Sequence, residues 1–276
     1  MNDGTDDAAL KARRASSFGA AARAYAEHRP HYPDAAVEWI LEPVRSRRIV
    51  RVLDLGAGTG RATEALQRAH VDVIAVEPDP AMRAAMLERV FGVAVLAGAA
   101  EDIPLPDERV DAVVVGQAFH WFDHERANPE IARVLKPGGV LAAMWNSEDL
   151  RVPWVVDYVE CAGFRASSPD SGSDSGSDSG SGSGPGSGAG SEGGIGLADH
   201  PAFEAPEWAS FHHSHRRTVD SLVETVATYS ACLVMPDDKR AERLQAIREF
   251  LLSRPETSNG EFELPLVTRV ARAIRR

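Results

Sequence analysis

A glycine-rich turn preceded by a carboxylate is the segment of this chain best suited to hold a small ligand. It reads Asp54-Leu55-Gly56-Ala57-Gly58-Thr59-Gly60 and follows an apolar run, IVRVLDL. Glycines let the backbone approach a ligand closely, because no Cβ intervenes. The carboxylate would attract an ammonium or a sulfonium and repel a pyrophosphate. A dinucleotide fingerprint also requires glycine where Arg61 stands, so the turn favours a cationic ligand over NAD.

A second carboxylate, Glu77, ends the next apolar run and is followed by Pro78. In α/β folds a carboxylate at this position accepts hydrogen bonds from the hydroxyls of a ribose. A strand-end residue turned to solvent would look the same in isolation. With the Asp54 turn upstream, the ribose interpretation is preferred.

Alternating elements must position these two carboxylates. Between residues 49 and 145, continuous apolar runs alternate with helical patterns, which predicts a parallel sheet covered by helices on both faces. Ligands of such doubly wound sheets bind beyond the carboxyl ends of the strands. Further along, 211–219 suggests a strand and 237–253 a helix, whereas 263–274 is ambiguous.

Composition excludes several classes of protein. The chain has 276 residues, a net charge of −11 and two cysteines. This acidity disfavours a nucleic-acid partner, and the chain has no apolar run of the roughly 20 residues that cross a bilayer. We therefore expect a cytoplasmic protein with no membrane partner, either a monomer or a homodimer.

The expected organisation is one domain with an interruption. The acidic residues 1–16 are predicted to be disordered, and 17–276 to form a single domain. A flexible insert over 166–197 interrupts that domain, because its Gly/Ser-rich centre, 170–194, has no apolar surface to offset its ordering entropy.

Four blocks of the chain resemble a known family. VLDLGAGTG (52–60), VIAVEPD (73–79), AAEDIPLPDERVDAVV (99–114) and RVLKPGG (133–139) are similar, in order and spacing, to blocks of the class I S-adenosylmethionine-dependent methyltransferases. The resemblance implies a Rossmann-like, doubly wound, seven-stranded α/β sheet with an N-terminal helical lid.

Two further segments narrow the resemblance. YAEHRPHYP (25–33) and AFHWFD (118–123) are similar to the small-molecule branch that includes trans-aconitate methyltransferases. Residues 208–233 and 260–273 are similar to the last strands of that branch and the helix between them. RVLKPGG is expected to have a structural role only.

The resemblance implies S-adenosylmethionine as cofactor and places its contacts. The first block holds the methionine part, Glu77 the ribose, and the third block the adenine, although Ala99 stands where Asn or Asp is usual. The cofactor-binding residues expected on this basis are Tyr25, Asp54, Gly56, Ala57, Gly58, Gly60, Glu77, Pro78, Ala100, Glu101 and Gln117.

The resemblance places an acceptor pocket near Arg29, His120 and Trp121. His120 is the candidate catalytic residue, as a positioning group or a base, because the pKa range of histidine suits proton transfer. Packing of these aromatic residues under a lid is the alternative. No metal site is expected, since only His213 and His215 of the later histidine cluster share a strand face.

Two functional hypotheses remain open at this point. The leading hypothesis is methyl transfer to a small-molecule acceptor, with O-methylation of a carboxylate or hydroxyl favoured. The alternative is a non-catalytic S-adenosylmethionine-binding protein that acts through partners. An NAD-dependent oxidoreductase is disfavoured by Asp54 and Arg61.

Overall fold

The structure is a computed structural model that describes residues 29–163, 196–197, 200–229, 232 and 234–276. Three sequence predictions lie outside these residues: the disordered N-terminus 1–16, the helical lid with Tyr25, and the Gly/Ser-rich centre of the insert, 170–194. They stay predictions.

Strands and helices alternate through the first half of the described chain. The strands are β1 (Arg51–Leu55), β2 (Asp72–Val76), β3 (Ala94–Leu96), β4 (Val110–Gly116), β5 (Leu135–Glu148), β6 (Glu207–Thr218) and β7 (Glu261–Ile274). The α-helices are α1 (Asp34–Leu41), α2 (Arg61–Arg68), α3 (Pro80–Leu87), α4 (His124–Val134), α5 (Pro153–Cys161), α6 (Val219–Ala227) and α7 (Asp237–Ser253). Single 3-10 turns lie at Glu42–Val44 and Phe119–Trp121.

The strands form one seven-stranded sheet in the order β3-β2-β1-β4-β5-β7-β6. Strand β1 pairs in parallel with β2 and with β4, so that Asp54 lies opposite both Ala75 and Val114. The expected seven-stranded, doubly wound α/β sheet is thereby confirmed. The strand order reverses between β1 and β4, and folds of this kind bind their ligands at such a switch point.

Burial on both faces explains the apolar composition of the central strands. Every residue of β4 from Val110 to Val115 is buried, and so are Val52, Leu53 and Leu55 of β1. Asp54 of β1 is also completely buried, although its side chain is an acid. A buried charge costs free energy unless a partner compensates it, so this residue is a candidate for function.

The chain divides into two compact units. The first unit consists of the chain up to Asn146 together with 196–213 and 267–276. In this unit, helices α1 and α2 pack on the sheet through residues such as Ile40, Leu66 and Val114. In the second, α5, α6 and α7 bury Tyr158, Val226 and Leu251. The single domain expected over 17–276 stays a prediction.

The segment 133–139 joins α4 to β5. Gly138 adopts a positive φ of 67° there. The Lys136 ammonium lies 2.9 Å from the buried Asp111 carboxylate, which also accepts hydrogen bonds from Arg47 and from the backbone of Arg51. These contacts lie at the amino ends of the strands and fit the structural role expected of this segment.

None of the described helices is long and apolar enough to cross a membrane.

Candidate active site

A cavity of 340 Å³ lies where the central strands end. Its walls include Asp54 of β1, Glu77 after β2, Gln117 after β4 and Asn146 near the end of β5. This volume is within the range of about 300–1,000 Å³ typical of small-molecule sites. Eleven predicted site residues line it: Arg29, Asp54, Gly56, Ala57, Gly58, Glu77, Pro78, Ala100, Glu101, Gln117 and Trp121.

Asp54 is completely buried beside the cavity. Its Oδ2 atom accepts a hydrogen bond from Thr63 Oγ1 at 2.5 Å, whereas its Oδ1 atom has no hydrogen-bond partner among the described residues. Burial raises the pKa of Asp54 to about 7, and the charge of Glu77 adds to this, while the hydrogen bonds from Thr63 oppose it. An open, buried carboxylate oxygen of this kind fits a cationic ligand group.

Glu77 holds the glycine turn in place. Its Oε2 atom accepts from the Gly58 N–H and its Oε1 atom from the Asp79 N–H, both at 2.9 Å. Burial raises the pKa of Glu77, against the effect of these two hydrogen bonds. Each carboxylate oxygen has a second lone pair, so the residue can also accept from a ligand hydroxyl.

Two glycines of the turn have left-handed backbones for different reasons. Gly56 has φ = +69°, and a Cβ there would lie 2.9 Å from the Ala118 Cβ. Gly58 has φ = +57°, and a Cβ there would project into open space beside the cavity. The first glycine permits a close approach of the loop after β4, and the second leaves room for a ligand.

Gln117 also has a positive φ, of 58°, which is uncommon for residues other than glycine and is often found at functional sites. Its N–H donates to the Met144 carbonyl, and its side-chain Nε2 donates to the Asn146 carbonyl, each at 2.9 Å. The loop after β4 is thus tied to the end of β5.

The chain is similar to a protein family and to proteins named as methyltransferases. Residues 53–143 match the family described as a methyltransferase domain. An uncharacterized methyltransferase of Mycobacterium tuberculosis is 38% identical over 258 residues, which are 93% of this chain and 95% of that protein. The chain belongs to the class I S-adenosylmethionine-dependent methyltransferases.

Two more similarities concern the fold and the chemistry of relatives. A structure described as a type II methyltransferase from Anaeromyxobacter dehalogenans aligns with 90% of this methyltransferase and 97% of that chain, at 27% identity and a TM-score of 0.61. A malonyl-[acyl-carrier protein] O-methyltransferase of Methylococcus capsulatus is 37% identical over 114 residues, which are 38% of this chain and 42% of that enzyme.

Two predicted site residues of the methyltransferase do not line the cavity. Gly60 is the N-cap of α2, and a Cβ there would lie 2.9 Å from Val90 and 3.0 Å from Met86, so it faces packed side chains. His120 lies in the 3-10 turn between the buried Phe119 and the cavity-lining Trp121. Successive residues of such a turn point about 120° apart, and the His120 side chain is directed outward and exposed, 4.9 Å from the Trp121 ring.

A polar network that sequence reasoning missed supports the wall at Asn146. Its Nδ2 donates to the His31 carbonyl at 3.1 Å, and its Oδ1 lies 2.5 Å from Thr268 Oγ1, which lies 3.0 Å from His213 Nε2. Because the His31 carbonyl can only accept a hydrogen bond, the NH₂ group of Asn146 faces it. The Asn146 Oδ1 atom therefore accepts from the Thr268 hydroxyl. Because a hydroxyl has one proton, His213 Nε2 must then be protonated and donate to Thr268.

The position of Asn146 could have been found from the sequence, because it ends an apolar run at the ligand-binding edge. Thr268 and His213 carried no such signal, since they reach this site only through tertiary contacts. Thr59, also missed, lines the cavity with a buried hydroxyl.

Metal-ligating side chains do not cluster in the described part of the chain. No group of three or more His, Cys, Asp or Glu side chains lies together there in a way that could hold a metal ion.

Proposed function

We propose that this methyltransferase methylates an oxygen of a small-molecule acceptor, and that the preferred acceptor is a carboxylate. The proposal depends on the lining of the cavity. No histidine lines it among the described residues, whereas Arg29 and Asn146, two residues that have hydrogen-bond donors, do. A carboxylate is already ionised at neutral pH and needs no general base, and donors of this kind are suited to bind it.

The cofactor side of the cavity has suitable groups for S-adenosylmethionine. Asp54 has an open buried oxygen for the ammonium, Glu77 has lone pairs for ribose hydroxyls, and Pro78, Ala100 and Glu101 line the cavity where the adenine is expected. The cofactor supplies an activated methyl carbon when bound. The protein must therefore chiefly bind and orient the acceptor, and exclude water.

A relative supports oxygen as the methylated atom. The Methylococcus capsulatus protein is an O-methyltransferase by its name and acts on a malonyl group carried by a protein. We infer the same atom type here. The narrower similarity to trans-aconitate methyltransferases stays a prediction.

Calorimetric titration followed by an acceptor screen tests the proposal. We expect the wild-type protein to bind S-adenosylmethionine and S-adenosylhomocysteine but not NAD. With S-adenosylmethionine present, small di- and tricarboxylic acids should yield S-adenosylhomocysteine, whereas their fully esterified counterparts should not. Turnover with amines alone would contradict O-methylation, and binding without turnover of any acceptor would favour the non-catalytic alternative.

Two substitutions by glutamine test how the acceptor is bound and whether it needs a base. Arg29→Gln should raise KM for the carboxylate, because it removes the cation that we propose to bind the acceptor, and it should leave the affinity for S-adenosylhomocysteine unchanged. His120→Gln tests the predicted catalytic role of His120. A base would lose kcat in that variant with cofactor affinity retained, and the exposed placement of the ring leads us to expect no such loss.

A further inference from the structure

Asn146 has a buried side-chain amide whose two ends have different partners. The residue is 6% exposed and lines the cavity. Its Oδ1 atom accepts from Thr268, which does not line the cavity. Its Nδ2 atom donates to the carbonyl of His31, which lies between two residues that do line it, Pro30 and Tyr32. These partners place the amide oxygen away from the cavity lining and the NH₂ group beside it.

The fold leaves one hydrogen-bond donor of this amide unused. An NH₂ group has two N–H bonds, and among the described residues Nδ2 of Asn146 donates to the His31 carbonyl alone. A buried donor without a partner costs free energy. The amide nevertheless follows a run of buried apolar residues, from Val140 to Met144. A ligand atom that accepts a hydrogen bond would satisfy the second N–H.

Further hydrogen bonds fix the direction in which this amide points. Thr268 donates to Oδ1 and itself accepts from His213 Nε2. That nitrogen has a proton both in one neutral tautomer and in the charged ring, so the direction of the chain of bonds does not depend on the charge of His213. The main-chain carbonyl of Asn146 accepts from Gln117 Nε2 at 2.9 Å. Hydrogen bonds that run in one direction polarise one another, which strengthens the remaining N–H as a donor.

We propose that the second N–H of Asn146 donates to an oxygen of the acceptor, and that Thr268, itself held by His213, is a positioning residue that keeps the amide in this orientation. The inference rests on the proposed function and deepens it, because it assigns the residues that select the acceptor atom. An N–H donor binds a lone pair of an oxygen, whereas an ammonium offers only donors. The arrangement therefore favours a carboxylate or a hydroxyl over an amine.

Four substitutions test this assignment. Asn146→Asp replaces the NH₂ group by an oxygen of nearly the same size. Thr268→Val removes the hydroxyl at nearly constant shape, and Thr268→Ser keeps it. Thr257→Val is the matched control, because Thr257 is also completely buried and also donates one hydrogen bond, to the Leu251 carbonyl, but does not line the cavity.

Kinetics are measured with succinate, glutarate, citrate and trans-aconitate as acceptors at saturating S-adenosylmethionine. Each variant is also titrated with S-adenosylhomocysteine and melted. For the acids that are turned over, we expect Asn146→Asp to raise KM about tenfold or more, because a donor becomes an acceptor. Thr268→Val should raise KM about threefold to tenfold, the equivalent of one net hydrogen bond.

The other readouts separate positioning from stability. Affinity for S-adenosylhomocysteine should be unchanged in all four variants, and Thr268→Ser should keep the KM of the wild type. Thr268→Val and Thr257→Val should both melt below the wild type, because each leaves a buried hydrogen-bonding group without its partner. Only the first should raise KM.

The failures are distinguishable. Wild-type protein that turns over none of the four acids would overturn the proposed function and this assignment with it. Wild-type turnover together with an unchanged KM in Asn146→Asp would overturn the assignment alone. A KM that Thr268→Val leaves unchanged, that Thr268→Ser does not restore, or that Thr257→Val raises equally would show that Thr268 only supports the fold. If Asn146→Asp did not fold, the two Thr268 variants and their control would decide.

Discussion

Asp54 combines two properties that folding by itself would not favour. It is fully buried in a central strand, and one of its oxygens has no hydrogen-bond partner within the described chain. Burial raises its pKa from 3.8 to about 7. The acid therefore keeps its proton in the ligand-free protein under mildly acidic conditions, and a cationic ligand would favour its release.

The stability of the ligand-free protein should depend on pH through this residue. Between about pH 4 and pH 7 the unfolded chain has released the Asp54 proton while the folded protein retains it. The free energy of unfolding therefore falls as the pH rises, by at most about 1.4 kcal/mol per pH unit, and levels off above pH 7. Urea unfolding of the wild type and Asp54→Asn at several pH values measures this.

The difference between the two proteins is the informative quantity. Glu77 also has a raised pKa and acts in the same direction, but it is present in both proteins. The stability of Asp54→Asn relative to the wild type should therefore grow from pH 4 to pH 7. A difference that is constant with pH would show that Asp54 has an ordinary pKa.

The glycine turn acts as an element because β1, α2 and Glu77 hold it together. Gly58 donates its N–H to Glu77, and Gly60, the N-cap of α2, packs against Met86 and Val90. Of the three glycines of the turn, Gly58 is the one with open space beside the cavity, although Gly56 and Gly60 belong to the same motif. Gly56 lets the loop after β4 approach closely, and Gly60 lets Met86 and Val90 pack against the start of α2.

Substituting Gly58 by alanine should separate strain from ligand exclusion. An alanine at φ = +57° costs about 1–2 kcal/mol of stability, and its methyl group would project into open space beside the cavity. We expect an affinity for S-adenosylhomocysteine about tenfold lower, since the methyl group occupies ligand space. Thermal melting and calorimetric titration measure the two effects.

Gly92 offers a matched control. It has φ = +74°, a Cβ there would also meet open space, and it does not line the cavity. Gly92→Ala should lose a similar amount of stability and keep wild-type affinity. If both variants lost affinity equally, the effect of Gly58→Ala would be one of general stability.

At the scale of the whole molecule, two cores are buried in two compact units. Strands β6 and β7 each have about half of their residues in one unit and half in the other. Since a strand loses much of its pairing if half of it unfolds, we expect the units to unfold together, as the predicted single domain requires.

Leu66→Ala and Leu251→Ala test this cooperativity, because each truncates a fully buried leucine in a different unit. Each should cost about 2–5 kcal/mol. Near- and far-ultraviolet circular dichroism should report one coincident melting transition in both variants. Two transitions, each shifted by only one substitution, would indicate two separately folding domains.

The sequence alone was sufficient for the local features of the site. Asp54, the glycine turn and Glu77 were recognisable because a parallel strand and the loop at its carboxyl end are contiguous in the chain. The order of the four blocks, by its resemblance to a family, also predicted the seven-stranded sheet, which the structure confirms.

Only the tertiary structure decided which side chains face the cavity and what supports them. Two predicted site residues, Gly60 and His120, do not line the cavity: Gly60 packs against Met86 and Val90, and the side chain of His120 is exposed. The hydrogen bond that Thr268 donates to Asn146 and the one that it accepts from His213 join residues 122 and 55 positions apart. Residues so far apart in the chain share no local sequence pattern, because they come into contact only once the protein has folded.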